Sequence, residues 1–327
     1  MIIAGWKSTS IDNRKSGLRD GPDVAQSKNS VWMFISMDTY YIDGKFVDDD
    51  NAFISAKDIA VLRGFGVFDF LITYNRRPFF LEDHVRRFEN SAKDIGLELQ
   101  HSNAEICQIV EDTVKRNPHH EECAIRIVAT GGESSDGLNP EGRGVLMVMV
   151  TPKAILPEWW YTQGAKIITV DIERFIPTSK STSYLCAIHA VRQAKQQGAM
   201  ESVYVDRHNR ILEGTTTNFF GIIKNRLVTA GDGILPGITR GVVMELAKDF
   251  CEIEVRDIDR SELNAMDEVF ITASNKEIVP IVKVNDLRIG NGRIGERTHR
   301  IMKLFRDYTD AYGRGEINPK QPIVTIR

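Results

Sequence analysis

The apolar residues of this chain come in short pieces with two different spacings, and this constrains its fold more than any other feature. Some pieces, such as VFDFLITY (67–74), are rich in aromatic and β-branched residues and read as strands. Others repeat apolar residues at three- and four-residue intervals and read as helices. Val85, Phe88, Ala92 and Ile95 do so within 82–97, and Ile106, Ile109, Val110 and Val114 within 104–115. In the first half the two kinds follow one another without regular βαβ alternation, which predicts an α+β arrangement. The longest unbroken apolar run, Val145–Val150, has six residues, far short of the roughly 20 that span a bilayer. No membrane segment is expected.

The 327 residues suffice for two domains or one large one. Residues 1–36 differ from the rest, with five basic residues, three acidic ones, six serines and little periodic apolar pattern. They are expected to form a poorly ordered extension, mobile or draped on the surface. From Met37 the pattern changes, and TYYIDGKFV reads as two short strands around Asp43–Gly44. Phe79–Leu81 reads as a continuation of the sheet, with further strands at 124–130 and 145–150. This makes a small α+β domain over 37–150. TPKAILPEWW, with two prolines, reads as a linker over 151–160. The segment 161–312 reads as a larger mixed α/β domain. Its strands are expected near 166–171, 202–206, 218–223, 226–229, 268–272 and 278–282, and its helices over 184–197, after Pro236, and over 298–308. Residues 313–327 read as a tail. The fold class is α/β: an α+β small N-terminal domain and a larger mixed C-terminal one.

Basic and acidic residues number 42 and 45, a net charge of −3. Without a basic excess, nucleic acid is not an expected partner. The cysteines at 107, 123, 186 and 251 form no CxxC pair and have no histidine cluster nearby. No metal is expected, and the thiols read as buried ones in a reducing compartment. MIIAGWKSTS lacks the features of a signal peptide, so the cytoplasm is the expected location. His119 and His120 read as a solvated pair in a polar turn.

Five motifs carry possible chemistry. Gly290, Gly292 and Gly295 match G-x-G-x-x-G, but too little chain follows for a mononucleotide-binding half-fold, so they read as a glycine-rich turn. LPGITR (235–240) sets Gly237, Ile238 and Thr239 at a helix start, where free N–H groups and the helix dipole favour an anion; alone, it is an ordinary helix start. LEGTTTNFF (212–220) puts Glu213 at a strand end and Asn218 at the start of the next. Glu213 reads equally as a functional carboxylate or a turn acid. Lys180 in SKSTSYL (179–185) sits among small hydroxyl residues. A catalytic amine there needs desolvation or neighbouring charge to lower its pKa. In LEDHVRRFENSAK (81–93), Arg87 lies beside Phe88 near the helix's apolar edge; the alternative is a salt-bridged surface arginine.

In this order and spacing the motifs resemble the class IV, or fold type IV, pyridoxal-phosphate enzymes. That family contains branched-chain aminotransferases, D-amino acid aminotransferases and aminodeoxychorismate lyases. The resemblance covers about residues 38–312. It is carried by GFGVFD (64–69), HVRRF (84–88), GLNP (137–140), KSTSYL (180–185), EGTTTNFFG (213–221), LPGITR (235–240) and DEVFITASNKEIVP (267–280).

The resemblance implies pyridoxal 5'-phosphate as cofactor and amino transfer from an amino acid to a 2-oxo acid such as 2-oxoglutarate, by a ping-pong Schiff-base mechanism. Lys180 matches the Schiff-base lysine and Glu213 the glutamate that pairs with the pyridine nitrogen. Tyr184 matches a tyrosine near the phenolic oxygen. Arg87 matches the phosphate arginine, with Gly237, Ile238, Thr239, Asn218 and Ser274 completing the cofactor set. Phe68, Ser274 and Asn275 fall on the substrate side. Arg126 matches a pocket arginine of the branched-chain group. Ala124, Arg63 and Gly131, however, stand where relatives carry other residues. Arg63 and Arg126 are therefore candidates to bind the carboxylates of dicarboxylic partners such as glutamate and 2-oxoglutarate, by charge-assisted bidentate contact; the alternative is that one of them pairs with an acid such as Asp69. Branched-chain L-amino acids are the favoured donors, D-amino acids the alternative, and lyase activity the second alternative. The family implies a homodimer. A binding protein that has lost its chemistry is the contrasting reading, and the joint presence of Lys180 and Glu213 argues against it.

Overall fold

The computed structural model describes residues 37–317. The expected extension and all but the first residues of the expected tail lie outside them. Fifteen strands occur in chain order among the described residues. They are β1 (Thr39–Ile42), β2 (Lys45–Asp48), β3 (Gly66–Tyr74), β4 (Arg77–Pro78), β5 (Cys123–Thr130), β6 (Leu146–Pro152), β7 (Ala165–Asp171), β8 (Glu201–Val205), β9 (Ile211–Gly214), β10 (Asn218–Ile223), β11 (Arg226–Thr229), β12 (Glu252–Val255), β13 (Glu268–Ala273), β14 (Glu277–Val284) and β15 (Leu287–Arg288). The helices are α1 (Ile59–Arg63), α2 (Leu81–Ile95), α3 (Asn103–Arg116), α4 (Trp159–Thr162), α5 (Leu185–Gln196), α6 (Ile238–Ala247) and α7 (Glu296–Gly313).

The first six strands form one antiparallel sheet in the order β2-β1-β6-β5-β3-β4. Side chains alternate between its faces. Val67 and Leu71 of β3, with Ile125 and Ile127 of β5, pack on Val85 and Phe88 of α2 and Val110 of α3. Their neighbours Phe68, Phe70, Arg126 and Val128, paired across the two strands, therefore line the opposite face. Helix α3 begins with a reciprocal cap. Ser102 Oγ accepts from the Glu105 N–H at 3.3 Å, and Glu105 accepts from the Ser102 N–H at 2.7 Å. Helix α2 ends at Gly96, whose φ of 73° is the left-handed turn that glycine adopts without penalty.

The other nine strands run in the order β12-β11-β10-β13-β14-β7-β8-β9, with β15 on β14. Strand β9 also pairs with β10, Glu213 opposite Asn218. The path β10-β13-β14-β7-β8-β9 thus returns to β10 and closes into a ring. Each of its six strands adds to one apolar cluster, which includes Ile167, Val203, Ile211, Phe219, Ile271 and Ile281. The alternate residues Phe220, Ile222 and Phe270 face Val242 and Val243 of α6 and Ile301 and Phe305 of α7. Phe220 and Phe270 stack with ring centroids 4.9 Å apart, a pair worth about 0.5–1.5 kcal/mol beyond area burial.

The expected strand at Phe79–Leu81 is absent. Phe80 instead takes a left-handed conformation at φ 50° and opens α2. The aromatic character that suggested a strand serves packing: Phe79 and Phe80 lie against Tyr308 and Tyr312 of α7. Within the segment expected as linker, β6 continues through Pro152 and α4 begins at Trp159. The glycines near 290 form a turn, as read. A Cβ at Gly295 would lie 1.9 Å from Glu268 Cδ, and through that gap the Glu268 carboxylate accepts from the Thr298 N–H at 2.7 Å. The anion at the start of α7 is therefore the chain's own. The cysteines are all free, but Cys186 is exposed rather than buried, because it lies on α5 facing the cavity described next.

Candidate active site

A cavity of about 1040 Å³ lies between the exposed face of the antiparallel sheet and the seam where β9 meets β10. Every site residue named from the sequence lines it: Arg63, Phe68, Arg87, Arg126, Lys180, Tyr184, Glu213, Asn218, Gly237, Ile238, Thr239, Ser274 and Asn275.

Arg87 is buried on α2 and locked in place. Its Nε and Nη2 donate to the two Asp69 carboxylate oxygens at 2.9 and 2.8 Å, and Nη1 donates to the Pro236 carbonyl at 3.2 Å. His84 Nδ1 lies 2.6 Å from the same carboxylate. Burial opposes ionisation of Asp69, but the Arg87 and His84 side chains hold its carboxyl well below the usual range. Asp69 is therefore the partner of Arg87, not of Arg63 or Arg126. The Pro236 contact brings the guanidinium to the start of α6, where no side chain caps the helix. A fixed cation beside the free N–H groups of a first turn is an anion site. Gly237 is needed there, since a Cβ would lie 1.9 Å from Asn218 Oδ1.

One turn beyond Arg87, Ser91 anchors the lysine segment. Its Oγ accepts from the Lys180 N–H at 3.0 Å, and its carbonyl accepts from Ser179 Oγ at 3.1 Å. The Lys180 carbonyl accepts from the Phe68 N–H at 2.9 Å, which fastens this segment to β3. The Lys180 amine lies over the Phe68 ring, 4.6 Å from its centroid. Burial, aided by the charge of Arg87, pulls its pKa down to about 8 against the opposing carboxylates of Asp69 and Glu213. Tyr184 precedes α5, packs edge-on against Phe68 at 5.4 Å, and has its hydroxyl pushed up to about 12 by burial.

Glu213 is buried and fully engaged. One oxygen accepts from Arg174 Nε and Nη2 at 3.0 and 2.6 Å, and the other from the Leu235 N–H at 2.9 Å. Burial raises its pKa, with Arg174 pulling the other way. Asn218 bridges this carboxylate to the turn before α6, donating to the Leu235 carbonyl at 2.9 Å. Its amide thus serves the protein's own framework.

Sequence reasoning missed three residues here. Arg174 also donates to the Ser179 carbonyl at 2.8 Å and to the Pro177 carbonyl, so it clasps the lysine loop to Glu213. Lys276, half-buried in the cavity wall, donates to Thr216 Oγ1 at 2.7 Å and lies 3.9 Å from the buried Glu201. Burial lowers the Lys276 pKa, against the pull of Glu201. The arginine six positions before Lys180 was the one visible signal for Arg174. The Glu201–Lys276 pair joins β8 to the turn between β13 and β14 and left no trace in local spacing.

On the opposite wall, Arg63 is exposed and donates only to the Leu62 carbonyl, at 2.8 Å. Arg126 is also exposed, with its guanidinium 5.8 Å from the Phe70 ring centroid. Neither pairs with an acid among the described residues. Three buried hydroxyls that line the cavity, those of Tyr204, Thr217 and Thr272, have no hydrogen-bond partner among the described residues.

Residues 66–284 match the profile of the family described as amino-transferase class IV. A putative branched-chain-amino-acid aminotransferase of Methanocaldococcus jannaschii is 32% identical over 284 residues, which cover 84% of this chain and 97% of that protein. A D-alanine aminotransferase of Staphylococcus aureus (strain N315) is 27% identical, over 84% of this chain and 99% of that one. An aminodeoxychorismate lyase of Bacillus subtilis is 28% identical, over 81% and 93%. Among solved structures, the T.th. branched-chain amino acid aminotransferase with pyridoxamine 5'-phosphate superposes with a TM-score of 0.79 at 28% identity, over 85% of this chain and 95% of that one. Profile, relatives and architecture agree with the reading of the motifs, and the chain belongs to the class IV aminotransferases.

Proposed function

We propose that this chain is a homodimeric, cytoplasmic transaminase that moves an amino group from a branched-chain L-amino acid to a 2-oxo acid such as 2-oxoglutarate, in two ping-pong half-reactions. One observation carries the reading: a lysine amine of lowered pKa, Lys180, stands between an anion pole and a buried carboxylate within one cavity. The cofactor is pyridoxal 5'-phosphate. When bound, it supplies the carbonyl that takes the substrate nitrogen and the ring that accepts the electron pair freed at Cα.

The donor set fits that cofactor. Arg87 and the N–H groups of Ile238 and Thr239 would hold the phosphate, and the unpartnered hydroxyls of the cavity wall are further donors. Glu213 would face the ring nitrogen. Arg174 favours the ionised form of its carboxylate against the effect of burial, and an ionised carboxylate there would favour a protonated ring nitrogen. Tyr184 would lie beside the ring oxygen. Lys180 Nζ takes the proton from Cα and returns it. A pKa of about 8 leaves about a tenth of the amine neutral at pH 7, roughly 300-fold more than an ordinary lysine. Phe68, Phe70, Val128 and Leu138 give an apolar wall suited to a branched side chain. Arg63 and Arg126, with Ser274 and Asn275, are proposed to bind substrate carboxylates. Val61, Leu62, Phe175, Leu185 and Ile188 are exposed at or beside the cavity's rim, as expected of a surface covered by a second copy.

Arg63 and Arg126, which pair with no acid among the described residues, also favour a second reading, a D-amino acid donor. Half-reactions of the holoenzyme separate the readings. L-Leucine should bleach the visible cofactor band at least tenfold faster than D-alanine. Faster bleaching by D-alanine would replace the donor assignment, and release of pyruvate from aminodeoxychorismate would make the enzyme a lyase. A holoenzyme that no amino acid bleaches would overturn transamination altogether.

A further inference from the structure

The histidine pair that read as solvated is not simply so. It lies in the turn that follows α3 and is not among the residues that line the cavity. His119 Nε2 and His120 Nε2 lie 2.9 and 2.7 Å from the same oxygen, Asp38 Oδ1. The two rings are tilted by 59° to one another, with centroids 4.1 Å apart. These three groups form the one trio of histidine, cysteine or carboxylate donors among the described residues whose ligand atoms all lie within 4.8 Å of one another.

The framework behind the trio is rigid. Asn117, fully buried, accepts from the Thr39 N–H at 2.8 Å and donates to the Thr39 and Thr113 carbonyls, each at 2.8 Å. It therefore ties the start of β1, next to Asp38, to the end of α3, next to the histidines. The Asp49 N–H donates to the Asp38 carbonyl at 2.9 Å, and Arg76 donates to the His120 carbonyl. Backbone on both sides of the trio is thus held by groups that are not themselves donors to it.

We propose that Asp38, His119 and His120 form a surface site for one divalent transition-metal ion of the zinc class. Two imidazole nitrogens and one carboxylate oxygen are the donors such ions prefer, whereas calcium and magnesium take oxygen ligands. Zinc holds nitrogen and oxygen ligands at about 2.0–2.2 Å, which sets neighbouring donors about 3.3 Å apart in a tetrahedron. The present separations are shorter by about half an ångström, which small side-chain rotations provide. The His119 side chain is 25% exposed, so a hydrated ion can enter and keep a water as its fourth ligand. The ion would clip β1 to the end of α3, which makes the site structural and independent of the amino-transfer reaction.

The test uses full-length holoenzyme, stripped with a chelator and dialysed against zinc chloride at about 50 µM free metal. The wild type should retain about one zinc per chain and melt at a higher temperature with zinc than without. A double variant, His119→Gln with His120→Gln, should lose at least tenfold in zinc affinity while keeping its transamination rate. Asp38→Asn should weaken zinc binding in the same direction and serves if the double variant does not fold. A wild type that retains less than about a fifth of an equivalent, or variants that hold zinc as tightly as the wild type, would overturn the site.

Discussion

The two walls of the cavity are built on different physical terms. On the ring side, Glu213, Lys180 and the start of α6 are held by chains of short hydrogen bonds, with Arg174, Asn218 and Ser91 as their anchors. Arg87 reaches into this wall from α2, locked by Asp69. On the antiparallel-sheet side, Arg63 and Arg126 are exposed and carry no acid partner among the described residues. A buried charge left unpaired is costly, so Arg87 is paired with Asp69 and Arg174 with Glu213, while the Lys180 amine, which no carboxylate pairs among the described residues, has its pKa lowered instead. Exposed arginines need none, and their position can change without disturbing the framework. The difference supports the proposal that cofactor chemistry belongs to the fixed wall and donor choice to the adjustable one.

Substitutions that unbalance the fixed wall should have the largest effects. Glu213→Gln removes the carboxylate proposed to keep the ring nitrogen protonated. It should lower kcat about 10²–10³-fold, the range seen when one preorganised electrostatic group is removed from an active site, with a smaller change in KM. A kcat within twofold of wild type would mean that Glu213 only braces the β9–β10 seam.

Arg174→Gln should have an intermediate effect, about tenfold on kcat, and shift the pH profile. The rate at which a bound donor bleaches the visible band should rise with pH and level off above about 8 in the wild type, since only the neutral Lys180 amine accepts the proton. Arg174 is one of two arginines whose charge disfavours protonation of that amine. Its removal should move the inflection to higher pH. An unmoved inflection would reduce Arg174 to a loop clamp.

The smallest change is expected on the adjustable wall. Arg126→Ala should raise KM for 2-oxoglutarate about tenfold, the loss of one exposed charge-assisted contact, and leave the leucine half-reaction within about twofold. Unchanged constants for 2-oxoglutarate would remove Arg126 from the substrate site. Equal loss in both half-reactions would move it to the fixed wall.

The same contrast explains how much could be read from the sequence. Strands β10 and β11 appear at their expected residues, because their apolar runs are bounded by turn residues on both sides. The cavity gathers every site residue named from the sequence: Glu213 and Asn218 meet at the β9–β10 seam, the LPGITR turn opens α6 beside it, and Phe68, Arg87 and Arg126 come from within β3, α2 and β5. What escaped depends on contacts between distant segments. The aromatic pair Phe79–Phe80 looked like strand because its partners, Tyr308 and Tyr312, lie more than two hundred residues away. Arg174 looked like any loop arginine until Glu213, from another strand, came within 2.6 Å. His119 and His120 looked solvated because Asp38, just before β1, lies about eighty residues away in the chain.

Lys276 supplies the sharpest test of the whole account. It shares with Lys180 a half-buried place in the cavity wall and a pKa lowered by burial, yet Glu201 and Thr216 already hold its amine. Borohydride reduction of the holoenzyme, followed by peptide mass mapping, identifies the lysine that carries the cofactor. The cofactor's mass should appear on the peptide containing Lys180 and nowhere else, and Lys180→Ala should abolish both the labelling and the visible band. Labelling of Lys276 in the wild-type enzyme would contradict the assignment of the fixed wall.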